Sequence, residues 1–145
     1  METEKAHDIV IKFLDKHRKA VLATVGEDEH PTTSLMLYAA DANLNVFFGT
    51  RKSFGKWKIF KHHPFASLTV VEEKQDPLKA VEIRGKIEFV PEEETSETLR
   101  WFEAKNPSEY YIKDAEDFVM FKVVHTLVRW LDASSGKIVM EEIKF

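Results

Sequence analysis

Apolar residues recur along this chain with two different periods. Ala6, Ile9, Val10, Phe13 and Leu14 fall at i, i+3, i+4, i+7 and i+8, which predicts an amphipathic helix near the start. Thr3 is the expected N-cap, and His17, Arg18 and Lys19 place positive charge where a helix C-terminus favours it. From Ala20 the period shortens. Residues 20–26, 32–40 and 46–50 read as three strands, separated by the polar turns GEDEHP and DANLN. Short strands joined by tight turns predict an antiparallel meander rather than a βαβ unit.

Helical spacing returns over residues 53–62, with Phe54, Trp57 and Phe60 or Lys61 on one face and Ser53 as the expected cap. His62-His63-Pro64 ends it, because the residue before a proline is pushed out of the helical region. Residues 65–73 and 80–90 read as strands around the loop KQDPLK, and Gly85 marks a bend or bulge. Residues 91–104 read as a third helix. Pro91 suits its first turn, Glu92, Glu93 and Glu94 complement its dipole, and Asn106-Pro107 stops it. Beyond a stretch expected to be mobile, residues 118–132 form a long strand, and ASSG turns into a last one, KIVMEEIKF. Six or seven strands and three short helices fit a small closed antiparallel barrel with peripheral helices. An open sandwich is the alternative.

Composition narrows the function classes. The 145 residues are expected to form one domain, residues 1–145, with a β-rich core drawn from eleven Phe, three Tyr and three Trp. A net charge of −4 argues against a general nucleic-acid coat. The absence of Cys excludes disulfides, thiolate zinc sites and cysteine nucleophiles, and fits a reducing, cytoplasmic location. The first residues are charged and carry no signal-type apolar stretch, and no apolar run approaches the ~20 residues of a membrane span.

Stand-alone catalytic motifs are missing. The six His form no HExxH, and adjacent His62 and His63 would point about 100° apart on a helix, so no metal site is expected. There is no GxSxG elbow, no Walker-type loop and no GxGxxG. One segment stands out. Arg51, Lys52, Lys56, Lys58 and Lys61 crowd a strand end that enters a helix, on an otherwise acidic chain. Free backbone N–H groups, the Ser53 hydroxyl and the cations Arg51 and Lys56 are what a phosphomonoester needs. The plainer reading is a solvated basic helix with Phe54, Trp57 and Phe60 in the core.

The ordered series from residue 21 to residue 90, LATVGEDEHPTTSLMLYAADANLNVFFGTRKSFGKWKIFKHHPFASLTVV followed by AVEIRGKIEFV, resembles the pyridoxamine 5′-phosphate oxidase-like, FMN-binding split-barrel superfamily, in its small general-stress-protein-type branch. The resemblance implies a mainly β fold, a six-stranded antiparallel Greek-key split barrel with short helices. It implies FMN bound at a homodimer interface, and a small-molecule redox substrate. By position, Thr50 matches the Thr that ends the third strand near the flavin, and Lys56 matches the phosphate-binding Lys. Ser34, Leu35, Met36 and Leu37 match the strand that flanks the isoalloxazine, and Trp130 matches a late-strand aromatic offered by the partner subunit. Three departures matter, one being that the oxidases carry a basic residue at about Ser34. The oxidases carry Ser-Arg where Phe54 and Gly55 stand here, so Arg51, Lys52 and Ser53 would have to substitute. The oxidases' Arg- and His-containing C-terminal tail is not evident, which argues against vitamin B6 oxidation.

The residues agree in kind with that cofactor: Met36 and Leu37 suit a flat apolar slot, Thr50 suits a donor at the ring edge, and the flavin supplies the redox chemistry. Rival ligands for such a barrel are deazaflavin F420 and haem, with His125 or His63 as the axial candidate. A cofactor-free structural or regulatory dimer is the third reading.

Overall fold

The computed structural model describes residues 2–74, 77–107 and 116–145. The loop positions 75–76 and the stretch expected to be mobile, 108–115, lie outside the described residues.

Helix α1 spans Thr3–Lys16 and buries Ala6, Val10, Phe13 and Leu14, so the apolar spacing holds. Glu2, rather than Thr3, occupies the N-cap, with no side-chain capping bond. At the other end three groups meet the last turn. His17 bridges the Phe13 carbonyl (2.8 Å) and the Glu72 carboxylate (3.0 Å). The Leu14 carbonyl accepts from the Tyr38 hydroxyl at 2.7 Å and from the Lys105 ammonium at 2.8 Å.

Strands β1 (Lys19–Val25) and β2 (Pro31–Leu37) form the expected hairpin, in register from Lys19 opposite Leu37 to Val25 opposite Pro31. The predicted second strand is interrupted at Tyr38. That residue is fully buried, and its N–H donates to the Arg18 carbonyl at 3.2 Å. After the break, β3 (Ala39–Ala40) turns to pair with β4 (Val46–Arg51). The meander therefore stops. The main partner of β4 is not β2 but the late strand β7 (Phe118–Asp132).

Strand β5 (Phe65–Val71) and strand β6 (Lys79–Phe89) follow, and the antiparallel path runs β2–β1–β5–β6–β7–β4–β3, with β8 (Val139–Ile143) also on β7. The two ends of that path, β2 and β3, are halves of one segment hinged at Tyr38. Taken together they give the ring six positions, with β8 outside it. The ring is the split barrel. The expected six-stranded barrel is thus present, and the eight strands exceed the expected six or seven because Tyr38 splits one predicted strand into β2 and β3.

β7 lies along β6 from Phe121 to Asp132, beside β4 at its start and β8 at its end. The register slips between Arg84 and Gly85, where the expected bulge occurs. A Cβ on Gly85 would lie 2.1 Å from the Val124 carbonyl oxygen, so glycine is required for the two strands to approach.

The interior is lined by Leu22, Phe48, Leu68, Ile83 and Phe121, all buried. Helix α3 (Glu92–Lys105) adds Phe102 to a smaller core with Ala39 and Met120, and ends at Asn106 as expected. The central helix differs from its prediction. A 3-10 turn, Lys52–Phe54, is followed by Gly55 at φ 85°, and only then by α2, Lys56–His62. Phe60 is buried, but Phe54 is 63% exposed and not in the core.

Candidate functional site

β4 delivers the basic segment. Val46, Phe48 and Thr50 point inward by the two-residue period, and Thr50 is buried. Arg51 therefore faces the other way, at the rim, where it pairs with Phe118 of β7. Antiparallel pairing then sets Asp117 beside residues 51–53. Its Oδ1 accepts from Arg51 Nε at 3.0 Å, and its Oδ2 accepts from the Ser53 hydroxyl at 2.6 Å and the Ser53 N–H at 3.4 Å. Its carbonyl accepts the Lys52 N–H at 2.9 Å. The Ser53 hydroxyl, ahead of Arg51, holds the Asp117 carboxyl below the usual carboxylate range, even against burial. Ser53 does not cap the helix.

The other cations divide. Lys61 and Lys52 lie over the Trp57 ring, at 3.7 and 5.2 Å from its centroid. Lys58 is exposed. Lys56, the first residue of α2, is half-buried, and burial lowers its pKa. Among the described residues it has no carboxylate partner. A half-buried ammonium without a counter-charge is the kind of group an anionic ligand would satisfy.

α2 sits beside both β4 and β1. At its far end His62 reaches Glu27 of the β1–β2 turn at 2.9 Å. Next to β1, β2 presents the predicted slot residues. Ser34 pairs with Leu22, and Met36 packs on the main core. Leu35, 71% exposed, and Leu37 line a cavity of about 910 Å³ on the outer face, with Val21, Val71 and Lys19. The structure thus brings Thr50, Arg51, Lys52, Ser53 and Lys56 together at one junction, and Leu35 and Leu37 together on another surface. Lys56 is not part of that cavity's wall. Trp130 belongs to neither group. It is buried inside its own chain, edge-on to Phe13 at 5.1 Å, on the half of β7 that pairs with β8. A ring packed in that way is not free to be offered to a partner.

Sequence reading missed Asp117. The signal was available: pairing residues 46–51 with the start of the 118–132 strand brings residue 117 to the junction. His125 is the other unusual group. It lies on β7 between the parts that pair with β4 and β8, opposite Gly85, and both its ring nitrogens are buried without a hydrogen-bond partner. Burial lowers its pKa, against the opposing charge of Asp41. Among the described residues no cluster of three metal-ligating side chains occurs, and no helix is long and apolar enough to cross a membrane.

A small antiparallel split barrel with a basic strand-to-helix junction defines a recognisable class. Residues 7–131 match the family described as pyridoxamine 5′-phosphate oxidase, so the chain belongs to that family. No curated protein matches the chain. Solved structures share the fold. A putative pyridoxamine 5′-phosphate oxidase from Listeria innocua is 22% identical with TM-score 0.72, over 86% of this chain and 97% of its own. General Stress Protein 26 from Bacillus anthracis is 14% identical with TM-score 0.74, over 97% and 98%. A heme binding protein from Mycobacterium smegmatis is 18% identical with TM-score 0.76, over 97% of this chain and 58% of its own.

Proposed function

We propose that the chain is an FMN-binding flavoprotein, an oxidoreductase that acts on a small-molecule redox substrate as a homodimer. One observation carries the reading: Lys56 presents a half-buried ammonium with no carboxylate partner among the described residues, at the strand-to-helix junction where the sequence resemblance implies a phosphate-binding Lys. The residues fit the group in part. Lys56 would hold the phosphate, Thr50 would lie near the ring edge, and Ser34, Leu35, Met36 and Leu37 would flank the ring. Arg51 and Ser53 are engaged by Asp117, and Trp130 is left out of the site. Bound FMN would supply hydride or electron transfer, and the chain's part is to bind and orient it. A homodimer is supported by the separation of Lys56 from the Leu35–Leu37 cavity, since a second copy can complete a site that one chain divides.

Absorbance of freshly purified protein between 350 and 500 nm, followed by FMN titration and sedimentation, tests the reading. Bound yellow chromophore or micromolar FMN affinity in a dimer is expected. A colourless monomer indifferent to FMN overturns it. F420 is titrated in parallel as the rival flavin-like ligand.

A haem-binding reading has its own observation, the unpartnered ring nitrogens of His125. A neutral imidazole is a competent iron ligand. A Soret band near 400 nm on adding hemin, lost in His125→Ala, would select it over flavin.

A further inference from the structure

Asp117 places a carboxylate where an anion's donors converge. It takes a guanidinium N–H of Arg51, the hydroxyl of Ser53 and the backbone N–H of Ser53. That is the donor set by which a phosphate monoester is gripped. We propose that Asp117 is an intramolecular stand-in for phosphate, a residue that limits how strongly this junction binds phosphorylated ligands. The inference rests on the reading of the junction as a phosphate site.

Three features argue for competition rather than simple bracing. The pair is accessible, with the Arg51 and Asp117 side chains 30% and 28% exposed, so an incoming anion can reach it. The contacts are ones an incoming phosphate can replace in kind, since Arg51 and Ser53 would donate to its oxygens as they donate to the carboxylate. The neighbouring Lys56 is left without a carboxylate partner among the described residues, so the junction is only partly neutralised. A phosphate drawn to Lys56 meets the Asp117 charge across the same short turn, 52–55. Removing that charge both releases Arg51 and Ser53 and ends the repulsion, and both effects act in the same direction.

The test compares wild type with Asp117→Asn, and with Asp117→Ala as a second variant, each checked for folding by circular dichroism. FMN and riboflavin are titrated into each, because they differ only in the phosphate. Asp117→Asn is expected to bind FMN about tenfold more tightly, with riboflavin unchanged. Adding Arg51→Met to that variant should cancel the gain. Equal or weaker FMN affinity in both Asp117 variants overturns the proposal, as does an equal rise for riboflavin. If no form of the protein binds either flavin, the flavin reading fails by itself, and inorganic phosphate decides this one. Shifts of the amide signals of residues 51–56 on adding phosphate, stronger in Asp117→Asn than in wild type, support it. No difference between the two overturns it.

Discussion

Lys105 and Tyr38 share a single acceptor. Both donate to the Leu14 carbonyl, and the ammonium lies 4.0 Å from the centroid of the tyrosine ring. The arrangement ties the ends of α1 and α3 to the point where the barrel segment bends. Burial depresses Lys105 to about 8 and, ahead of Asp15, raises Tyr38. The unfolded chain therefore holds the Lys105 proton more tightly than the fold does. Between about pH 8 and 10.5 stability should rise with pH on this account. Denaturant unfolding of wild type and Lys105→Met across that range is expected to show a steeper rise for wild type, on the order of 1 kcal/mol after allowing for solvent screening of a half-exposed group. Parallel curves would clear Lys105 of the effect.

Asn106 is buried beside that cluster. Its amide nitrogen donates to the Tyr38 carbonyl at 2.7 Å, and its oxygen accepts from Arg18 Nε at 3.3 Å. Asn106→Ala leaves the Tyr38 carbonyl without that donor and should cost about 1–3 kcal/mol. Urea midpoints at neutral pH give the answer, and a loss below a few tenths would contradict the assignment.

Gly85→Ala should be more damaging than its size suggests. The new methyl would meet backbone, not a yielding side chain, at the crossing of β6 and β7. A loss of ~3 kcal/mol is expected, seen as a large drop in Tm. An unchanged Tm would mean that the bulge can widen freely.

Phe60 anchors α2, with its ring 4.6 Å from that of Phe121. Phe60→Ala should cost about 3–5 kcal/mol and loosen the junction that carries Lys56. Thermal melts measure the first effect, and hydrogen exchange of residues 52–60 measures the second.

Lys56→Ala should weaken FMN binding by roughly 1.5–3 kcal/mol, the scale of a charge-assisted hydrogen bond. Exposed Lys58→Ala should leave it unchanged. Flavin fluorescence titrations of the two variants side by side distinguish a specific contact from general positive charge.

Local pattern carried much of this fold into view. The apolar stripe of α1, the β1–β2 hairpin, the bulge at Gly85 and the stop at Asn106 are all written in neighbouring residues. What escaped depends on distant ones. Tyr is a good strand former, so nothing nearby marks the break at Tyr38; Leu14 and Arg18, from α1 and its exit, impose it. The helix expected from Ser53 begins at Lys56 because Asp117, far along the chain, claims Ser53 first, and Gly55 then permits the left-handed turn. The basic cluster was legible as charge. Which cation would remain uncommitted was not, because that depends on where Asp117 and Trp57 lie.

The fifteen-residue strand that borders β4, β6 and β8 is synthesised only after β1 to β6. Val46 must wait for Val123 before its edge is covered. A ribosome making this protein exposes a half-built sheet until residues 118–132 emerge, and only then can the ring shut.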